Sequence, residues 1–585
     1  MNPALFIVPP LRDVIEVSLP LFRVELALAA TIVLVLLVRM LPLLRRLDAG
    51  LVAMGGLLFV AWFAWDDLRR VPGSPWLVGE ATPQSVELFT GLLVHDSLTA
   101  FIRLLLAGFL LLFGLFTKVS GIPDHEDSAD FHVLVLGGTL GMCLMASANH
   151  LLMLFVAVEM ASVPSYALAG LLKGRKASSE AALKYAVYGA GAAGIMLYGL
   201  SLLAGSLGTC HIPTAAARLS EIAAGGFADG QGMILALGGL MLAVGLAFKL
   251  SAVPFHFWAP DVFEGAAAEV GAFLSVASKT AAVALLIRVA LGFGLPADLS
   301  PPAPPPAAEA GLGGDAGTIR TVSAGERDGD PRSVLDGAGE ERAAARESLA
   351  PVRQFSVGLI AVIAAATCTL GNLGAYGQTN IKRLLGYSTI AHAGYLMMGV
   401  AAAVALAGTS SPLARDAITA VAFYLGTYLF MNLGGFLIVA VLRNSLRSEE
   451  ISSYAGLVQT SPGIVVAMAV VLVSLIGLPP LAGFVGKFLI FSSLVEGIAA
   501  GAERPVLMAL LIVGGLNTVL SLFYYLRVLK VMTFDPPPSE RPVTAVPLVS
   551  ITGAVVTAFV VPILIFGVFW SGLHALARLA GGMVS

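Results

Sequence analysis

Long apolar runs recur along the whole chain, at roughly 16–41, 50–67, 98–117, 130–148, 150–172, 181–205, 232–257, 268–294, 355–376, 385–407, 416–441, 463–496, 505–530 and 544–570. Each is close to the ~20 residues that cross the hydrocarbon core of a bilayer. Short stretches rich in glycine, proline or charge separate them. The pattern predicts an all-α polytopic membrane protein of about fourteen transmembrane helices, with both termini on one side. One segment, about 297–353, breaks the rhythm. It opens "PADLSPPAPPPAAEAGLGGDAG" and continues with mixed charge. So few large apolar residues cannot offset the entropy of ordering the chain, and we read the segment as a disordered loop between the eighth and ninth helices. The chain divides into helices 1–3 (1–117), a first unit (130–294), this loop (297–353), a second unit (355–530) and a last helix with the C-terminus (544–585).

The basic residues set the orientation. Arg45, Arg46, Lys118, Lys173, Arg175, Lys176, Lys382, Arg383, Arg443, Arg447, Arg527 and Lys530 fall in odd-numbered loops. Those loops are expected in the cytoplasm and both termini in the periplasm. Composition agrees with the membrane class. The 585 residues are 57% hydrophobic and 12% charged, against about a quarter charged in soluble domains, and mean hydropathy is +0.89. Cys143, Cys210 and Cys368 are scattered without CxxC spacing, so the chain carries no sequence signature of an iron–sulfur or zinc site. Neither a nucleotide-binding glycine motif nor a basic nucleic-acid patch is present.

Charges inside the apolar runs are the candidate chemistry. A lysine at the centre of a spanning helix costs roughly 2.5–3.5 kcal/mol on insertion scales, so it needs a reason. Glu159 lies in "LLMLFVAVEMASVPSYAL", Lys249 in "GLAFKLSAVPFHFW", Lys279 in "FLSVASKTAAVALLIRV", His392 in "YSTIAHAGYLMMGV" and Lys487 in "GLPPLAGFVGKFLIF". One could be an accident of packing; five predict a polar path through the membrane. Pro254 donates no backbone hydrogen bond and displaces the carbonyl four residues earlier, that of Leu250. A freed carbonyl inside a bilayer is tolerated only against protein or water, so the helix is expected to break beside Lys249. Pro479 and Pro480 predict a second break before Lys487. His256, seven residues past Lys249, is expected on the same helical face. Two broken helices, each with a lysine, at matching places in helices 4–8 and 9–13 are the mark of two inverted five-helix repeats. Burial and a neighbouring carboxylate act on a lysine's proton affinity in opposite senses. Glu159 and Lys249 are therefore expected to form a switchable pair within a chain Glu159, Lys249, Lys279, His392, Lys487.

"FVAVEMASVPSYALAGLL", "SSEAALKYAVYGA", "FKLSAVPFHFWAPDVFEGA", "QTNIKRLLGYSTIAHAGYLMMG" and "GLPPLAGFVGKF" resemble the antiporter-like subunits of respiratory complex I, the NADH-quinone oxidoreductase. The resemblance covers nearly all of the chain outside the 297–353 loop. "IAHAGY" and a lysine, rather than an acid, in the twelfth helix are similar to the N branch of that family. The resemblance implies a proton-translocating subunit in a bacterial inner membrane, driven by quinone reduction elsewhere in the complex. It places the family's functional residues on Glu159, Lys249, Lys279 and Lys487, and adds Lys184 at the start of the sixth helix. It implies no cofactor in this chain: NADH, flavin, iron–sulfur clusters and quinone belong to partner subunits. The implied partners are other membrane subunits, lipid and protons, not nucleic acid. A subunit of a multisubunit cation/proton antiporter, or of a membrane-bound hydrogenase-type complex, is the alternative.

Overall fold

The computed structural model describes residues 13–41, 47–77, 79, 81–124, 127–227, 230–295, 344, 346–538, 547 and 549–584. Up to fourteen spans are present among them. They are α1 (Arg23–Met40), α2 (Ala49–Arg69), α3 (Ser97–Ser120), α4 (Ser128–Ser147), α5 (Leu151–Ala169), α6 (Lys176–Leu207), α7 (Gln231–Leu250), α8 (Ala268–Gly294), α9 (Ala350–Ala375), α10 (Ile381–Ala407), α11 (Ser411–Leu446), α12 in two pieces (Pro462–Ile476 and Ala482–Ala499), α13 (Arg504–Thr533) and α14 (Ile551–Val568). A helical piece of about two turns, Val14–Leu21, precedes α1 at an angle of 73°, and the two together make the first span.

The neighbours follow a repeated order. α4 packs on α5, α5 on α6, α6 on α7, α7 on α8, and α8 returns to α4. The same ring recurs as α9 on α10, α10 on α11, α11 on α12, α12 on α13, and α13 back to α9. Five spans per unit, each crossing once, send the second unit through the membrane in the opposite sense. α8, α10 and α11 lie where the two units meet and are almost wholly enclosed by protein. α2, α6 and α13 turn large apolar side chains outward, among them Phe59, Trp62, Leu183, Leu516 and Phe523, as a lipid-facing wall requires.

The structure corrects several boundaries. α7 stops at Leu250 rather than near 257: Ser251 takes a left-handed conformation (φ +53°), and a proline disfavours the helical region for the residue before it, here Val253. Residues 251–257 form a non-helical connection. α9 starts at Ala350, with Pro351 in its first turn where a missing N–H costs nothing. α14 starts at Ile551, with the Ser550 hydroxyl accepting from the Gly553 N–H at 3.0 Å. The all-α expectation misses one antiparallel hairpin, β1 (Ser85–Leu88) and β2 (Leu93–Asp96), between α2 and α3. The apolar runs do not foretell the amphipathic helices at Ile212–Ala224 and Ser571–Ala580. Of the 297–353 loop, residues 297–343 and 345 lie outside the described residues.

Candidate functional site

Both breaks leave helix-end carbonyls without a backbone donor, and a lysine serves each. At the first break, Lys279 Nζ donates to the Leu250 carbonyl, the last of α7. Lys279 is presented by a π-helical turn, Leu274–Ser278, just before it in α8. Such turns offset the side-chain register and recur at functional sites. At the second break, Gly477 (φ +89°) ends the first piece of α12. Lys487 Nζ donates to the Leu475 carbonyl at 3.1 Å and to the Ile476 carbonyl at 2.9 Å, and stands 4.3 Å from the centre of the Tyr395 ring. In each place an ammonium sits at the negative end of a helix dipole, where end-of-helix carbonyls in broken membrane helices hold cations.

Lys249 occupies the last turn of α7 and is buried. Its Nζ donates to Ser162 Oγ at 3.1 Å, and the Ser162 hydroxyl donates to the Val158 carbonyl at 2.6 Å. The expected close pair with Glu159 is not formed: Glu159, one turn before Ser162 on α5, is half-buried and makes no ion pair within 4.0 Å among the described residues. The first unit thus sets Lys249 on Ser162 of α5, one turn from Glu159, and Lys279 on the carbonyl that ends α7.

His392 is buried in α10. Its Nδ1 lies 2.6 Å from the Tyr424 hydroxyl and its Nε2 3.4 Å from the Tyr525 hydroxyl. Tyr525 is also bonded to Ser388. Lys487 and His392 both lie beside the Tyr395 ring, whose centre is 4.3 Å from Lys487 Nζ and 5.9 Å from the His392 ring. The second unit therefore groups His392 and Lys487 with Tyr395, Tyr424 and Tyr525. Among the described residues no direct hydrogen bond joins Lys279 to His392.

Three expectations fall elsewhere. Lys184 is a third exposed and belongs to neither group; it pairs with Glu180 at 2.8 Å and Asp261 at 2.7 Å. His256 does not share a helical face with Lys249, because the chain between them has left the helix; its ring lies 4.6 Å from that of Phe257. Lys382, read as a loop charge, is 1% exposed and held by Glu449 at 2.8 Å and the Ala266 carbonyl at 2.7 Å.

Sequence reasoning also missed two buried ionic clusters. Arg288 of α8 makes two hydrogen bonds to Asp96, of 3.0 and 2.9 Å. Arg103 of α3 joins Glu25 at 2.8 Å, Asp67 at 3.4 Å and His95 Nδ1 at 3.0 Å. Both arginines stand inside apolar runs, so the criterion that found the lysines would have found them. Among the described residues no group of three His, Cys, Asp or Glu is placed to hold a metal ion.

Comparison with known proteins agrees with this architecture. The transmembrane family described as NADH:quinone oxidoreductase/Mrp antiporter matches residues 148–297 and 344–516. NADH-quinone oxidoreductase subunit N 2 of Sorangium cellulosum is 37% identical over 514 residues, 86% of each chain. Subunit N of Rhodospirillum rubrum is 35% identical over 511 residues, again 86% of each. A chain of respiratory complex I from Thermus thermophilus superposes with a TM-score of 0.65 at 28% identity, covering 95% of this chain and 99% of that one. A chain of the Mrp complex from a Dietzia species shares the fold, with a TM-score of 0.71 at 18% identity over 97% of this chain and 98% of that one. The chain belongs to the NADH-quinone oxidoreductase subunit N family, a branch of the transmembrane family shared with Mrp antiporters.

Proposed function

We propose that this chain translocates protons within the membrane arm of an NADH-quinone oxidoreductase, with Glu159, Lys249, Lys279, His392 and Lys487 as its proton-carrying groups. The observation that carries the reading is the recurrence of one device: a helix broken inside the membrane, with a lysine ammonium on the carbonyls left by the break. A lysine is a compact charge whose proton affinity follows its surroundings. Protonated, it is held by the carbonyls and the helix dipole; deprotonated, it loses the charge that makes those hydrogen bonds strong. Glu159 stands one turn from Ser162, the partner of Lys249, so a change in its charge bears on the proton that Lys249 holds. His392, with a hydroxyl beside each ring nitrogen, can pass a proton between neighbours in the second unit.

The basic odd-numbered loops support a cytoplasmic placement, with both termini in the periplasm and the chain in a bacterial inner membrane. The partners are the other membrane subunits of the complex; redox cofactors and quinone belong to other subunits. The antiporter reading has the support of the broad family and the fold, whereas the relatives at 35–37% identity are subunit N. The test is NADH-driven acidification of vesicles holding the assembled complex. Lys249→Ala should assemble yet pump poorly, and Lys249→Arg should also fail, because arginine stays protonated in proteins. Full pumping by an assembled Lys249→Ala complex contradicts the assignment.

A further inference from the structure

The chain that leaves the first break is fastened to the second unit. A short helix, Trp258–Gly265, follows the break. Two of its ties, one to each unit, meet on the carboxylate of Asp261. Asp261 Oδ2 accepts from Lys184 Nζ of α6 at 2.7 Å, and Oδ1 accepts from Arg383 Nη1 of α10 at 2.7 Å. Each cation has a second acid, Glu180 for Lys184 at 2.8 Å and Glu264 for Arg383 at 2.7 Å. At the other end of the segment, the Ala266 carbonyl accepts from Lys382 Nζ, also in the first turn of α10. The short helix is equally tied back to the break. The Trp258 ring stacks on Tyr185 at 4.1 Å and 7°, and its N–H donates to the Phe248 carbonyl, one residue before Lys249, at 3.2 Å. α10 then runs on to His392.

We propose that Asp261 is a positioning residue that couples the two translocating groups: it makes the helix after the Lys249 break and the first turn of α10 move as one body. The inference rests on the proton-translocation reading. The magnitudes separate coupling from mere stability. The side chains of Asp261, Lys184 and Arg383 are 31%, 36% and 28% exposed, and ion pairs this wet add little to folding. What the carboxylate supplies is geometry. It gives one oxygen to a helix of the first unit and the other to a helix of the second. An amide in its place offers one acceptor and turns an N–H₂ toward a cation. One of the two ties must then fail.

The experiment compares Asp261→Asn, Arg383→Gln, their double variant, Asp261→Glu and Lys249→Ala in the assembled complex in vesicles. NADH oxidation, proton pumping and thermal stability are measured on each. Asp261→Asn should keep the parent's thermal stability while pumping falls roughly two- to tenfold, within the range of mutations along a coupled network. The double variant should lose less pumping than the product of the singles, because both changes act on the Asp261–Arg383 contact. Asp261→Glu, which keeps two oxygens, should recover most of the loss. Undiminished pumping in Asp261→Asn, or losses that multiply in the double variant, overturns the proposal. Should Asp261→Asn fail to assemble, Arg383→Gln, which leaves the Lys184 pair in place, decides: a drop in pumping supports the coupling and full pumping overturns it. Lys249→Ala separates the two ideas. If it pumps fully, the translocation reading fails; if it does not pump while the Asp261 and Arg383 effects multiply, the coupling alone fails.

Discussion

Replacing Lys487 and Lys249 by methionine, one at a time, should have opposite consequences for stability. Methionine keeps the length of the unbranched chain and removes the donor and the charge. Lys487 serves two backbone carbonyls, Leu475 at 3.1 Å and Ile476 at 2.9 Å, and contacts the face of Tyr395. A buried acceptor left without a donor costs about 1–3 kcal/mol, so two cost about 2–6 kcal/mol, and a desolvated cation–π contact adds about 2 kcal/mol. Relief from burying a charge, several kcal/mol, offsets part of this. Among the described residues Lys249 serves only the Ser162 hydroxyl, which keeps its own bond to the Val158 carbonyl. Lys249→Met therefore orphans no carbonyl and gains the relief, less the lost attraction of Glu159. The two variants should differ by the two carbonyls, at least about 2 kcal/mol. Carried in full to the dissociation barrier, that is roughly a thirtyfold difference in half-life. The assay is the half-life of the purified complex at a fixed raised temperature, followed by retention of this chain. Lys249→Met should match or outlast the parent while failing to pump, and Lys487→Met should decay faster. Equal half-lives, or the reverse order, would refute the claim that Lys487 caps the broken helix.

Three further outcomes are expected. A Cβ at Gly483 would run into the Ser474 carbonyl, backbone that cannot swing aside, so Gly483→Ala should destabilise the second break by about 1–3 kcal/mol and lower the yield of assembled complex. Glu159→Gln combined with Lys249→Met should cost less pumping than the product of the single effects, because groups acting as a unit are non-additive; strict independence would remove Glu159 from the mechanism. His95, next to α3, is pushed down to about 3 by burial and then by the Arg103 guanidinium, from an ordinary 6.5. It is neutral in the folded protein at pH 7 and protonates first in the unfolded chain. Stability is thus complete above pH 6.5 and lost as pH falls, on the order of 2 kcal/mol by pH 5, and thermal melts of His95→Gln should show a flatter slope over that interval.

The spans and their buried charges are legible in the sequence because a bilayer penalises both short apolar runs and unpaired charge. The ends of helices are less so. Phe255 and Phe257 are as apolar as the residues of α7, and hydropathy does not distinguish a helix from the turn that follows it, so the stop at Leu250 stays hidden. The same loss of helix removes His256 from the face of Lys249. Proline does foretell that a carbonyl is freed at each break; it does not say which side chain arrives, and Lys279 and Lys487 are brought there by packing between distant elements. Ser162 had a signal, one turn from Glu159 on the same face. Lys382 had none, since its neighbour Arg383 and its place at a helix start read as a loop, and its burial depends on Glu449 and Ala266. The Asp261 ties likewise join three segments far apart in the chain.

The central claim is that lysines at the two breaks change protonation as the complex works. Infrared difference spectroscopy of the assembled complex, with isotope-labelled lysine, reads this directly when NADH is added. Isotope-shifted ammonium bands should appear during turnover, and part of them should vanish in Lys249→Met. A complex that pumps fully without any isotope-sensitive lysine band would contradict the account.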